Sequence, residues 1–196
     1  MERIYIITDI KLAGERFFEI ITNLLKEGYR FIQIRENDLN AIELCKMVEK
    51  ILNIANENVN LVMNDRVDIA HIYNLFGVQL KEVSIEPDLV KKHFPNLKIG
   101  LSVHDEKRIN DNIADFYVFG NVFETQCKVG LEGKGLSALK DIISLTKKPV
   151  YAIGGINTQN ASIVKDVGAY GVAVRSLVFD NKNYLEDLEK IRKIWS

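Results

Sequence analysis

The chain has 196 residues, the size of one domain, and its 47% hydrophobic and 27% charged residues are those of a globular protein with a real core. Its 26 basic and 27 acidic residues leave a formal net charge of -1, so the charge gives no reason to expect a nucleic-acid partner. Two cysteines, Cys45 and Cys127, are too few for a disulfide framework, and His71, His93 and His104 lie too far apart for metal-ligand spacing.

In chain order, short apolar runs alternate with amphipathic helical patterns. Met1-Glu2-Arg3 leads directly into the first predicted strand, residues 4–8, with no long apolar leader. Phe17, Ile20, Ile21, Leu24 and Leu25 then fall on one helical face, with Gly28 placed to stop the helix. The second strand is predicted at 31–35, and Leu44, Met47, Val48, Ile51 and Leu52 repeat the helical pattern. Further strands follow at 61–64, 77–80, 98–102, 116–119, 150–153 and 171–174, with Gly168 before the last. Most are near-continuous Val, Ile, Leu and Phe runs, as parallel strands buried on both faces require. Eight strand–helix units in this length, roughly 24 residues each, predict a single (β/α)8 TIM barrel over residues 1–196. An open doubly wound sheet shares the alternation, but eight repeats favour closure. No run approaches the roughly 20 apolar residues of a membrane span, so a cytoplasmic protein with no membrane partner is expected.

In such a barrel chemistry sits where the strands end. Those positions hold Thr8 and Asp9, Gln33 and Arg35, Asn64 to Arg66, Gln79 and Lys81, and Ser102 with His104. A polar loop from Gly120 to Lys128 follows, then Gly154-Gly155 and Arg175-Ser176. Gly154 and Gly155 let backbone amides approach an anion, Ser176 adds a hydroxyl, and the placement after the seventh and eighth strands is that of a recurrent phosphate site. The same glycine pair also suits a plain tight turn. The guanidinium of Arg35 matches a ligand carboxylate or phosphate, whereas Arg66 is expected to pair with Asp65 or Asp68. Lys128 is a second candidate cation. His104 is the histidine at a strand end and the acid–base candidate, and Cys127 is a candidate proton shuttle if Lys128 stabilises its thiolate. His71 and His93 fall in helical segments and read as structural.

Gln33-Ile-Arg35-Glu36, Met63-Asn64-Asp65-Arg66, Gly77-Val-Gln79-Leu80, Gly100-Leu-Ser102-Val-His104 and Ala152-Ile-Gly154-Gly155-Ile156 together resemble the thiamine phosphate synthase/TenI family over nearly the whole chain. The stretch from Phe119 to Lys128, followed by Gly130 to Gly135, resembles the TenI branch. The resemblance implies the same barrel, a phosphorylated thiazole or thiamine-related ligand and, by family habit, a homodimer. For synthases it implies Mg2+-assisted transfer of a pyrimidine from its diphosphate to a thiazole phosphate. In this chain Asp65 stands at the first metal position, Ser84 at the second, and Asn37 where synthases carry a lysine. For TenI-type tautomerases it implies aromatisation of a carboxythiazole phosphate by proton transfer without a metal, with Asn121 where those enzymes place a histidine. The leading expectation is therefore a thiazole tautomerase, an isomerase with no cofactor. Phosphate would lie on Gly154, Gly155 and Ser176, the carboxylate on Arg35, and His104 or Cys127 would relay the proton with Asn121 orienting. Gln33, Asn64, Ser102 and Lys128 complete the candidate substrate contacts. The alternatives are a thiamine phosphate synthase using Mg2+ on Asp65 and a non-catalytic ligand-binding homologue.

Overall fold

Eight parallel strands close into a ring in the computed structural model, which describes residues 1–56, 58–124 and 132–196. They are β1 (Ile4–Ile7), β2 (Phe31–Ile34), β3 (Asn60–Asn64), β4 (Gly77–Leu80), β5 (Lys98–Val103), β6 (Phe116–Gly120), β7 (Val150–Ile153) and β8 (Gly171–Val174). Each pairs with its sequence neighbours, and β8 pairs with β1. Closure therefore holds, as the eight repeats predict. The helices outside the ring are α1 (Ile10–Ala13), α2 (Phe17–Lys26), α3 (Ala41–Ala55), α4 (Val67–Ile72), α5 (Pro87–His93), α6 (Gly135–Ser144), α7 (Ala161–Asp166), α8 (Ser176–Phe179) and α9 (Tyr184–Ile194). Among the described residues no helix is long and apolar enough to cross a membrane.

The helical periodicities translate directly into packing. All five expected positions of α2 are buried, and in α3 Leu44, Met47, Val48 and Ile51 are buried while Leu52 packs at the margin. α3 opens with a capping box, the Asn40 side chain accepting from the Glu43 amide at 3.1 Å and the Glu43 carboxylate accepting from the Asn40 amide at 2.8 Å. β1 and β2 end one residue earlier than their apolar runs suggest. The reason is local: the Thr8 hydroxyl accepts from the Arg35 amide at 3.0 Å, so a side chain takes over where the ladder stops.

The inward-facing residues stay in register around the ring, as in the partners Ile7–Gln33, Gln33–Val62, Asn64–Gln79, Gln79–Gly100, Ser102–Val118 and Ile153–Ala173. At the N-terminal ends of the strands this inner face is aromatic. The rings of Tyr5 and Phe31 stack at 4.1 Å, Phe116 stands edge-on to both at 5.8 and 5.5 Å, and Tyr151 lies 5.6 Å from each of Tyr5 and Phe31. Gly100 makes room for this plug, because a Cβ there would strike the Phe116 ring. Ile7, Val62, Val118 and Ala173 form the layer above. Phe31→Ala is expected to lower unfolding free energy by about 3–5 kcal/mol, since a fully buried ring leaves a void the strands cannot close. Urea denaturation followed by circular dichroism checks this.

Candidate active site

Above the apolar layers the inner face turns polar, and the C-terminal mouth of the barrel encloses a cavity of about 320 Å³. Its floor is Ile7, Val118, Ile153 and Ala173. Nine of the residues expected from the sequence line its walls: Gln33, Arg35, Asn64, Ser102, His104, Asn121, Gly154, Gly155 and Ser176. Cys127 and Lys128 lie outside the described residues. Gln79, Lys81, Arg175 and Leu177 also line the cavity, beyond the contacts expected from the sequence. The period-two alternation carried this signal, because Gln79 shares the inward parity of Gln33 through the barrel register.

The polar groups are held to one another. Gln33 donates to the Asn64 carboxamide at 3.3 Å, and Asn64 donates to Asn37 at 3.4 Å. Gln79 donates to the Ser102 hydroxyl at 3.0 Å, while its carboxamide oxygen, buried over Gly100, has no hydrogen-bond partner among the described residues. The Thr8 hydroxyl donates to Glu36 at 2.5 Å, and the Ile10 amide donates to the same carboxylate at 3.2 Å. Arg175, on the cavity wall, pairs with Asp9 at 3.5 Å. Arg66 is committed to Asp68 through two hydrogen bonds, at 2.9 and 2.6 Å, and does not reach the cavity. His71 packs its ring edge against Phe94 at 4.9 Å, and His93 closes α5.

His104 Nδ1 lies 2.5 Å from the carbonyl of Gly120. A carbonyl only accepts, so Nδ1 carries the hydrogen and Nε2 of the neutral ring keeps its lone pair. Asn121, 5% exposed, donates to the Phe123 carbonyl at 3.3 Å. Gly154 and Gly155 have φ of 100° and 64°, and a Cβ on either would run into the loop that follows β6, at Asn121 for Gly154 and at the Glu124 carbonyl and Phe123 for Gly155. The pair is thus both the tight turn and a bare-backbone wall of the cavity, so the two readings of it are compatible. α8 starts at Ser176 beside it.

Asp65, at the first position the family resemblance gives to Mg2+, has both oxygens engaged. Lys81 Nζ lies 2.5 Å from Oδ2, and the Ser84 hydroxyl donates to Oδ1. Among the described residues no group of three or more His, Cys, Asp or Glu could hold a metal ion. Magnesium can be held by one or two carboxylates with waters and substrate phosphates, but here an ammonium sits on one Asp65 oxygen and would repel it, so this arrangement does not fit a divalent cation on Asp65.

Geometry of this kind defines a (β/α)8 barrel with an enzyme-type cavity at the C-terminal ends of its strands. Residues 4–178 match the family model for thiamine monophosphate synthase, and the chain belongs to that family. It is 35% identical over 184 residues to the putative thiamine-phosphate synthase 2 of Aquifex aeolicus, covering 92% of this chain and 99% of the relative. It is 33% identical to the thiamine-phosphate synthase of Pyrococcus horikoshii, covering 98% and 94%. Among solved structures, the thiamine phosphate pyrophosphorylase of Pyrococcus furiosus superposes with a TM-score of 0.85 at 32% identity, covering 98% of this chain and 94% of that one. A 3-hexulose-6-phosphate synthase, at 13% identity and a TM-score of 0.69, shares the fold.

The lock between β1 and β2 carries a pH signature. Burial pushes the Glu36 carboxyl up from its ordinary value, against the opposing hydrogen bonds from Thr8 and Ile10. A folded-state pKa above the unfolded one means that stability contributed at low pH is lost as pH rises through the folded value. Relative to Glu36→Gln, the wild type is expected to lose stability between about pH 4 and about pH 7. Urea titrations of both proteins at the two pH values measure the difference, and parallel pH profiles would contradict it.

Proposed function

We propose that the protein is a synthase-type transferase that joins a pyrimidine, carried as its diphosphate, to a thiazole phosphate. The observation that carries this reading is the presence of anion-receptive groups on well-separated walls of one cavity. Gly154, Gly155 and Ser176 lie at the ends of β7 and β8, and Arg35 and Lys81 at the ends of β2 and β4. In an eight-stranded ring β4 stands opposite β8. Joining two phosphorylated substrates calls for two such poles, one for the phosphate that stays and one for the diphosphate that leaves. The named relatives, matched over nearly their full lengths, support the same substrate class.

In this reading the thiazole phosphate rests on the backbone after β7 and the Ser176 hydroxyl, donors suited to an anion. Gln33, Asn64 and the Gln79–Ser102 pair offer hydrogen bonds to the ring edges, and Arg35 faces the diphosphate. The thiazole nitrogen bonds to the pyrimidine methylene carbon as the carbon–oxygen bond to diphosphate breaks, its electron pair leaving on the diphosphate oxygen. No residue need move a proton for that step. Asn121 then hydrogen-bonds rather than exchanges a proton, which matches its amide chemistry.

A second reading, the thiazole tautomerase, is favoured by one specific observation. His104 lines the cavity with Nδ1 held by the Gly120 carbonyl, which leaves Nε2 as a base able to take a proton from a bound carboxythiazole phosphate.

The two are separated by supplying both substrate sets. The transferase reading expects thiamine phosphate and pyrophosphate in equal amounts. It also expects Ser176→Ala to raise KM for the thiazole phosphate by about tenfold, the scale of one charge-assisted hydrogen bond. No coupled product, together with aromatisation of carboxythiazole phosphate that His104→Ala abolishes, would replace it with the tautomerase.

A further inference from the structure

Lys81 leaves the backbone at the first position after β4 and is built into its surroundings from several sides. Its amide donates to the Ser84 hydroxyl oxygen at 2.6 Å, and the Ser84 amide donates back to the Lys81 carbonyl at 3.2 Å, closing a turn. The same Ser84 hydroxyl donates to Oδ1 of Asp65 while Lys81 Nζ meets Oδ2. Asp65 is itself fixed, its amide donating to the Gln79 carbonyl at 3.0 Å. Beneath the turn the Arg108 guanidinium donates to the carbonyls of Leu80 at 3.2 Å, Ser102 at 2.7 Å and Lys81. The lysine side chain stays 36% exposed and lines the cavity. An ammonium has three donors, and the Asp65 oxygen meets one of them.

We propose that Lys81 is the resident cation of the diphosphate pole, standing where a metal on Asp65 would otherwise stand. The formal charges support the exchange. A divalent ion on two carboxylates is neutral as a unit, and so is one ammonium on one carboxylate. Ser84, at the position the family resemblance gives to a second metal ligand, is uncharged, and its hydroxyl donates to Asp65. The pair therefore presents a localised positive group to the cavity without an added ion. The inference deepens the synthase reading, and rests on it for the identity of the anion: a diphosphate as substrate and pyrophosphate as product. When the carbon–oxygen bond breaks, the electron pair left on the diphosphate oxygen is met by the Lys81 N–H donors, with no redox change and no proton transfer required.

The test is isothermal titration with inorganic pyrophosphate, in EDTA and again in Mg2+, on wild type, Lys81→Ala and Lys81→Arg. Wild type is expected to bind pyrophosphate in EDTA, with Mg2+ changing the affinity by less than about twofold, whereas Lys81→Ala weakens binding at least about tenfold and Lys81→Arg retains most of it. Binding that appears only with Mg2+, or equal affinity in wild type and Lys81→Ala, would overturn the proposal. Thermal melts establish that the variants are folded; should Lys81→Ala fail to fold, Lys81→Gln replaces it with the same expected loss. The readout involves no turnover. A protein that binds pyrophosphate through Lys81 yet makes no thiamine phosphate overturns the transferase reading alone.

Discussion

Closing eight short parallel strands into a ring turns every second strand residue towards an interior that only side chains can fill, and everything else in this molecule follows from how that space is filled. Tyr5, Phe31, Phe116 and Tyr151 fill the N-terminal end with packed rings. Ile7, Val62, Val118 and Ala173 fill the middle. What remains is the C-terminal end, where Gln33, Asn64, Gln79 and Ser102 are brought together by the same register that stacks the rings below. The apolar plug and the polar mouth are two consequences of one alternation.

The mouth is pre-set by short hydrogen-bonded devices rather than by long elements. Thr8 and Glu36 tie the ends of β1 and β2, Arg108 ties β4 to β5, and the loop after β6 lies so close to Gly154 and Gly155 that neither position has space for a side chain. These ties place groups able to meet anions on separate walls of the cavity without asking helices to move. They also commit Asp65 to Lys81 and Ser84, and so decide what kind of positive charge that wall can offer.

Much of this was readable from residues alone, for identifiable reasons. Near-continuous apolar runs located all eight strands to within a residue, because a strand buried on both faces is mostly apolar and its inward polar exceptions, Gln33, Asn64, Gln79 and Ser102, fall where the inner face reaches the mouth. The cavity-lining residues at strand ends followed once the barrel was counted, since the fold puts its mouth there. Lys81 was visible as a strand-end residue, but its role was not. Its meaning depends on a turn that brings Ser84 back beneath Asp65, and neither charge pattern nor spacing reports which carboxylate a lysine reaches. Arg66 shows the same limit, as Asp65 and Asp68 were equally available in sequence and only the backbone geometry selects Asp68. The tautomer of His104 was likewise unreadable, being set by a carbonyl sixteen residues away.

The most direct measurement is a crystal structure of the protein with a thiazole phosphate and pyrophosphate, grown with Mg2+ present. The account predicts the ester phosphate within hydrogen-bonding distance of the backbone at Gly154–Gly155 and of Ser176, and pyrophosphate on Lys81 with the Asp65 pair intact. A metal ion seated on Asp65 with Lys81 displaced, or the phosphate bound away from β7 and β8, would contradict it.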